Sequence, residues 1–137
     1  MRIQPALAGR AERWLVVLIA LHTYAIGVAL LAVPGWALRF GGWEAVPPLF
    51  FPRQAGVFHL VLGTGYLLEY ARQRGVALLL TAKALATVFL GAAALVGGAP
   101  WFVGFAGAAD GLMGLAVLMT RRMVRSAEAS RADPVRS

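Results

Sequence analysis

The chain has 137 residues, 60% of them hydrophobic, and a mean hydropathy of +0.72. Soluble domains are usually about 45–50% apolar, so a soluble fold of this length lacks the polar residues to cover its core, and the length allows one domain. With no cysteine and a net charge of +7, disulfides, thiol catalysis and thiolate metal sites are excluded, as are quinone-linked four-helix thiol oxidoreductases, which need cysteine pairs.

Four apolar runs follow in order: residues 14–33, 55–70, 76–96 and 101–120. A spanning helix needs about 20 residues at 1.5 Å each, and only helices satisfy every backbone donor cheaply in lipid. The expected fold is therefore all-α, a four-transmembrane-helix up-down bundle over residues 1–125. The first run, "WLVVLIALHTYAIGVALLAV", follows a basic start. Its apolar length of about 20 exceeds the 7–15 residues of a signal-peptide core, so it reads as a span. Pro34-Gly35 stops it. The connection 34–54 is the long one, and "WALRF" within it suits a short interfacial helix. Trp36, Phe40, Trp43, Phe50 and Phe51 suit the outer interface, with Arg53 beside them at the start of the second span. The plain reading is an aromatic anchor; the functional alternative is a lid over a ligand entrance. The second run is short, and so tilts less, borrows from "PLFFP" or sits where the bilayer thins. After the fourth run the tail 126–137, "SAEASRADPVRS", is polar and expected to be disordered.

Arginine positions set the orientation. Twelve arginines and one lysine make up the basic residues, and ten of the arginines lie in the N-terminal segment, the 71–75 turn and the stretch after the fourth run, residues 121–137. Arg39 and Arg53 are the two elsewhere. This places both termini and the 71–75 turn in the cytoplasm. Arginines at the ends of apolar runs read as topology signals and contacts to anionic lipid; no nucleic-acid partner is expected.

Two charges lie inside apolar runs. Lys83 in "LLLTAKALATVFLG" is roughly 10 Å inside the cytoplasmic boundary, and Asp110 in "FAGAADGLMGL" roughly 15 Å from it, at 1.5 Å per residue. Each alone would cost about 2.5–3.5 kcal/mol to insert, so the expectation is an intramembrane pair. The alternative has Lys83 snorkelling to the headgroups and Asp110 protonated. Gly104, Gly107, Gly111 and Gly114 line one face of the fourth span, with Asp110 at its edge, and form a helix-packing stripe. Lys83, Thr87, Gly91 and Ala94 fall near one line of the third.

His22 has a depth close to that of Lys83 and could join the pair. In the second span His59, Gly63, Tyr66 and Tyr70 share a face at spacings of four, three and four. A single histidine in a span is usually a hydrogen-bonded packing residue; the sharper reading makes His22, His59, Tyr66, Tyr70 and Thr87 the wall of a pocket. Lipid or quinone is the ligand class such a pocket admits. A haem between His22 and His59 is disfavoured, because the two are offset by roughly 5 Å. Glu69 is expected to pair with Arg72 or Arg74. No metal-binding carboxylate set, nucleotide loop or Ser/His/Asp set is present, so no catalytic residues are assigned and the balance falls against an enzyme.

The segments "FPRQAGVFHLVLGTGYLLEYARQRG", "LLLTAKALATVFLGAAALVGG" and "GFAGAADGLMGLAVLM" together resemble small four-helix bacterial membrane proteins of the DoxX-like kind. The resemblance covers residues 53–119 and rests on helix count, size and an Arg–Gly–Gly arrangement. It implies an up-down bundle in the bacterial inner membrane, in some cases linked to respiratory or quinone-dependent complexes, and carries over no catalytic residues. Small multidrug transporters are a second comparison, weakened because their first helix holds a glutamate where this one has His22. The expected function is a non-catalytic accessory or structural subunit, partnered by lipid and by another membrane protein or a second copy. The alternatives are a small carrier or lipid/quinone-binding protein using Lys83 and Asp110, and an enzyme acting on a lipid with Asp110 and His22 as acid and base.

Overall fold

In a computed structural model, residues 5–132 are described. They form five helices: α1 (Pro5–Ala32), α2 (Pro34–Phe40), α3 (Phe50–Gln73), α4 (Ala77–Val96) and α5 (Trp101–Ala132). Three of these, α1, α4 and α5, are long and apolar enough to cross a membrane, which makes this a helical membrane protein. α3 is not among them. Its length is sufficient, but Arg53, Gln54, His59, Thr64 and Glu69 interrupt its apolar side chains.

The helices extend beyond the apolar runs. α1 begins at Pro5, because "PALAGRAER" is rich in helix formers and proline is tolerated in a first turn. α3 takes its first turn from "FFPRQ". α5 continues to Ala132. Residues 126–132, expected in a disordered tail, are thus helical; "SAEASRA" holds no glycine or proline and carries good helix formers. Residues 133–137 of that tail lie outside the described residues.

The bundle is two antiparallel hairpins. α1 lies along α3, with Gly27 opposite Gly56 and Ala20 opposite Gly63. A β-carbon on Gly56 would sit 2.8 Å from the Gly27 carbonyl oxygen, and one on Gly27 2.9 Å from that of Gly56. These two backbones touch because neither residue has a side chain. α4 and α5 form the second hairpin, turned by Gly97 and Gly98 at positive φ. The hairpins join mainly through α1 and α5, whereas α3 and α4 barely meet. Val16 and Ile19 of α1, Tyr66 and Tyr70 of α3, Leu79 of α4 and Val117 of α5 form the shared core.

The connections are held by specific bonds. Arg74 ends α3 in the left-handed conformation (φ 51°), its N–H donating to the Tyr70 carbonyl. The Glu69 carboxylate then accepts the N–H groups of Ala77 and Leu78, both at 3.0 Å, and so caps the start of α4. Glu69 therefore serves a helix N-terminus, where exposed N–H groups and the helix dipole favour an anion; no Glu69 bond to Arg72 or Arg74 is seen among the described residues. At the opposite end Trp36 stacks on Phe40, which meets Trp101 edge-on. Trp43 packs over Gly41, and the Phe102 N–H reaches the Gly41 carbonyl. Thus α2 is fastened across the start of α5, while Arg53 stays exposed.

Candidate functional site

Two interhelical ion pairs dominate the polar interior. The first joins α4 to α5: Lys83 Nζ lies 2.5 Å from Asp110 Oδ1. Lys83 is 7% exposed. The glycine stripe makes the contact possible. Gly114 lies against Lys83 Cβ, Gly111 against the Thr87 side chain, Gly107 against Leu90 and Gly91, and Gly104 against Ala94. Side chains on that stripe would push α5 away from α4 and separate the charges. Thr87 turns its hydroxyl back onto the Lys83 carbonyl, at 2.7 Å. Thr87 is thus part of the α4–α5 packing.

The second pair joins α1 to α5. Arg121 Nη1 donates to Glu12 Oε1 at 3.1 Å. Glu12 is 2% exposed. Sequence reasoning missed Glu12, which sits in "GRAERW" between arginines and reads there as part of a solvated basic segment. Its signal is helical: Ala8, Glu12, Val16, Ile19 and Thr23 follow one face of α1, and all are buried.

The other expected pocket residues do not converge. His22 is exposed on α1 and bonds to neither Lys83 nor Asp110 among the described residues. His59 is half-buried and bonded through Nδ1 to the Ala55 carbonyl of its own helix, at 2.7 Å. Tyr66 and Tyr70 are 3% and 7% exposed and belong to the packed core. The α1–α3 interface instead carries an unforeseen bond, Tyr24 to Thr64 at 2.7 Å. Thr64 donates its own proton to the Leu60 carbonyl, so Tyr24 is the donor. Among the described residues no three His, Cys, Asp or Glu side chains gather as a metal site would require.

An open cleft of about 370 Å³ lies at the arginine-bearing end of the bundle, between the first turns of α1, the end of α3 and the last turns of α5. Arg10, Arg13, Tyr70, Arg74 and Arg121 line it.

Comparison with protein-family models, curated proteins and solved structures finds no match.

Proposed function

We propose that this chain is a four-span integral protein of the bacterial cytoplasmic membrane, with both termini inside, and that it serves as a non-catalytic accessory or structural subunit of a membrane complex. The observation that carries the reading is the Lys83–Asp110 contact. The two charges inside the apolar helices satisfy each other across a glycine-packed interface. A pair so enclosed fixes the register of two helices, and neither of its members is free for chemistry.

The surface supports a role among lipids and partners. On α4, Leu85, Val88, Phe89, Leu95 and Val96 are each about two-thirds exposed or more. Such a face needs lipid or another membrane protein against it. Val57, Phe58, Val61 and Leu68 do the same on α3, which favours placing α3 in the membrane with the others. The arginine bias favours an inside location for both ends of the chain. The resemblance to DoxX-like proteins is part of the same proposal.

Native mass spectrometry after gentle extraction from the source membrane tests this. A second protein at fixed stoichiometry is the expected result. A lone chain or homo-oligomer carrying a lipid or quinone would instead favour the second reading, a small carrier. One observation speaks for that alternative: α3 and α4 barely meet. The variant Lys83→Met/Asp110→Asn separates the two. An accessory subunit keeps its partner, whereas a carrier keeps its fold and loses its ligand.

A further inference from the structure

The cleft at the arginine-bearing end has no part in that reading, and its chemistry is specific. Four guanidinium groups line it, from Arg10, Arg13, Arg74 and Arg121, against two carboxylates, Glu12 and Glu128. Glu12 is buried and already engaged by Arg121. Glu128 is exposed at the rim. The cleft therefore holds an excess of positive charge.

Two of the cations are held in place. Arg121 is fixed through Nη1 by Glu12, while its Nε is buried and has no hydrogen-bond partner among the described residues. A buried donor without an acceptor is costly, and a shift of the Arg121 side chain toward the cleft would let a ligand oxygen or a water satisfy it. Arg74 is exposed, but its guanidinium lies over the Tyr70 ring, with Cζ 5.4 Å from the ring centroid. Arg10 and Arg13 are exposed and lie three residues apart, on the same face of α1. The guanidinium fork matches phosphate oxygens two at a time. The volume falls within the range of about 300–1,000 Å³ common for ligand sites.

We propose that this cleft is a binding site for a phosphate group, with Arg74 and Arg121 as preorganised donors and Arg10 and Arg13 as mobile ones that close over it. The phosphate can come from an anionic lipid headgroup at the membrane surface or from a free phosphate compound. The lipid source rests on the membrane placement; the free source does not.

The test uses the full chain in phosphatidylcholine nanodiscs at fixed physiological salt, where bulk surface attraction is screened beyond roughly 8 Å. One arm titrates inorganic phosphate. The other replaces a tenth of the lipid with phosphatidylglycerol and counts retained anionic lipids by native mass spectrometry. The variant Arg13→Gln/Arg74→Gln leaves the Glu12–Arg121 pair intact. Its control is Arg122→Gln/Arg125→Gln, which removes the same charge at the same end from residues that do not line the cleft. The expected loss is about tenfold or more in the first variant, in whichever arm binds, with less than about twofold in the control. Binding of the lipid alone identifies a headgroup site, and binding of inorganic phosphate identifies a free-phosphate site. No binding in either arm, or an equal loss in the control, overturns the proposal. A melting temperature matched to the parent chain shows that the tested variant is folded.

Discussion

Glu12 on α1 and Arg121 on α5 are 109 positions apart in the chain and 3.1 Å apart in space, with Glu12 almost wholly buried. This pair stitches the first hairpin to the second.

The two partners differ in what their loss leaves behind. Arg121→Gln strands a carboxylate whose side chain is 3% exposed, and should cost about 3 kcal/mol, the low end for a broken buried pair. Glu12→Gln leaves a guanidinium that is about a fifth exposed and keeps an amide acceptor, so it should cost about 1 kcal/mol. Thermal melting in detergent should rank the chains as parent, then Glu12→Gln, then Arg121→Gln. The reverse order would mean that Glu12 is not the desolvated partner.

For Lys83 and Asp110 the expected result is strong non-additivity. Lys83→Met and Asp110→Asn each leave one unpaired group among apolar neighbours, and each should lower the melting temperature. Together they remove both charges, and the double variant should regain stability, with a coupling of about 1–3 kcal/mol. A double-mutant cycle measures this, and additive losses would show that the contact contributes nothing.

Glycine positions supply a pair of opposite outcomes. Gly56→Ala drives a β-carbon to 2.8 Å from the Gly27 carbonyl oxygen and 2.9 Å from Leu31. It should destabilise by about 1–3 kcal/mol, because backbone cannot yield as a side chain can. Gly91→Ala places its β-carbon in open space within α4. It should be neutral or stabilise by up to about 1 kcal/mol. Melting curves of the two single variants decide this, and similar behaviour would refute the close α1–α3 crossing.

Membrane placement of α3 can be read by chemical labelling, since the chain has no cysteine of its own. Ala45→Cys lies before α3 and Gln73→Cys at its end. If α3 crosses, an impermeant maleimide added outside intact cells labels position 45 and spares 73. Labelling of both from one side would leave α3 lying on the surface.

How much of this is legible in the chain itself depends on the kind of residue. α1, α4 and α5 are plain in outline because apolar residues dominate a long window of each, despite single polar residues such as His22, Lys83 and Asp110. α3 is harder, because histidine, tyrosine, threonine and glycine dilute its hydropathy. The stripe from Gly104 to Gly114 is readable from spacing, whereas the crossing of Gly27 with Gly56 is not. Each of those is a lone glycine in its helix turn, and only the relative height of α1 and α3 brings them together. Glu12 was hidden for a related reason: a charge between arginines looks solvated until a helix from the far end of the chain covers it. The Tyr66–Tyr70 face was visible as a stripe, but periodicity does not say whether a stripe meets a ligand or the core; here both rings join the core cluster with Val16, Ile19 and Leu79, and Tyr70 also borders the cleft.

The position of Lys83 relative to Asp110 also has a consequence in time. The lysine precedes its partner by 27 residues. At about 5–20 residues per second, it waits roughly 1–5 s after synthesis before the aspartate exists. During that interval α4 carries an ammonium without its carboxylate partner. Entering lipid alone would cost α4 about 2.5–3.5 kcal/mol for that charge, a cost that entry together with α5 removes.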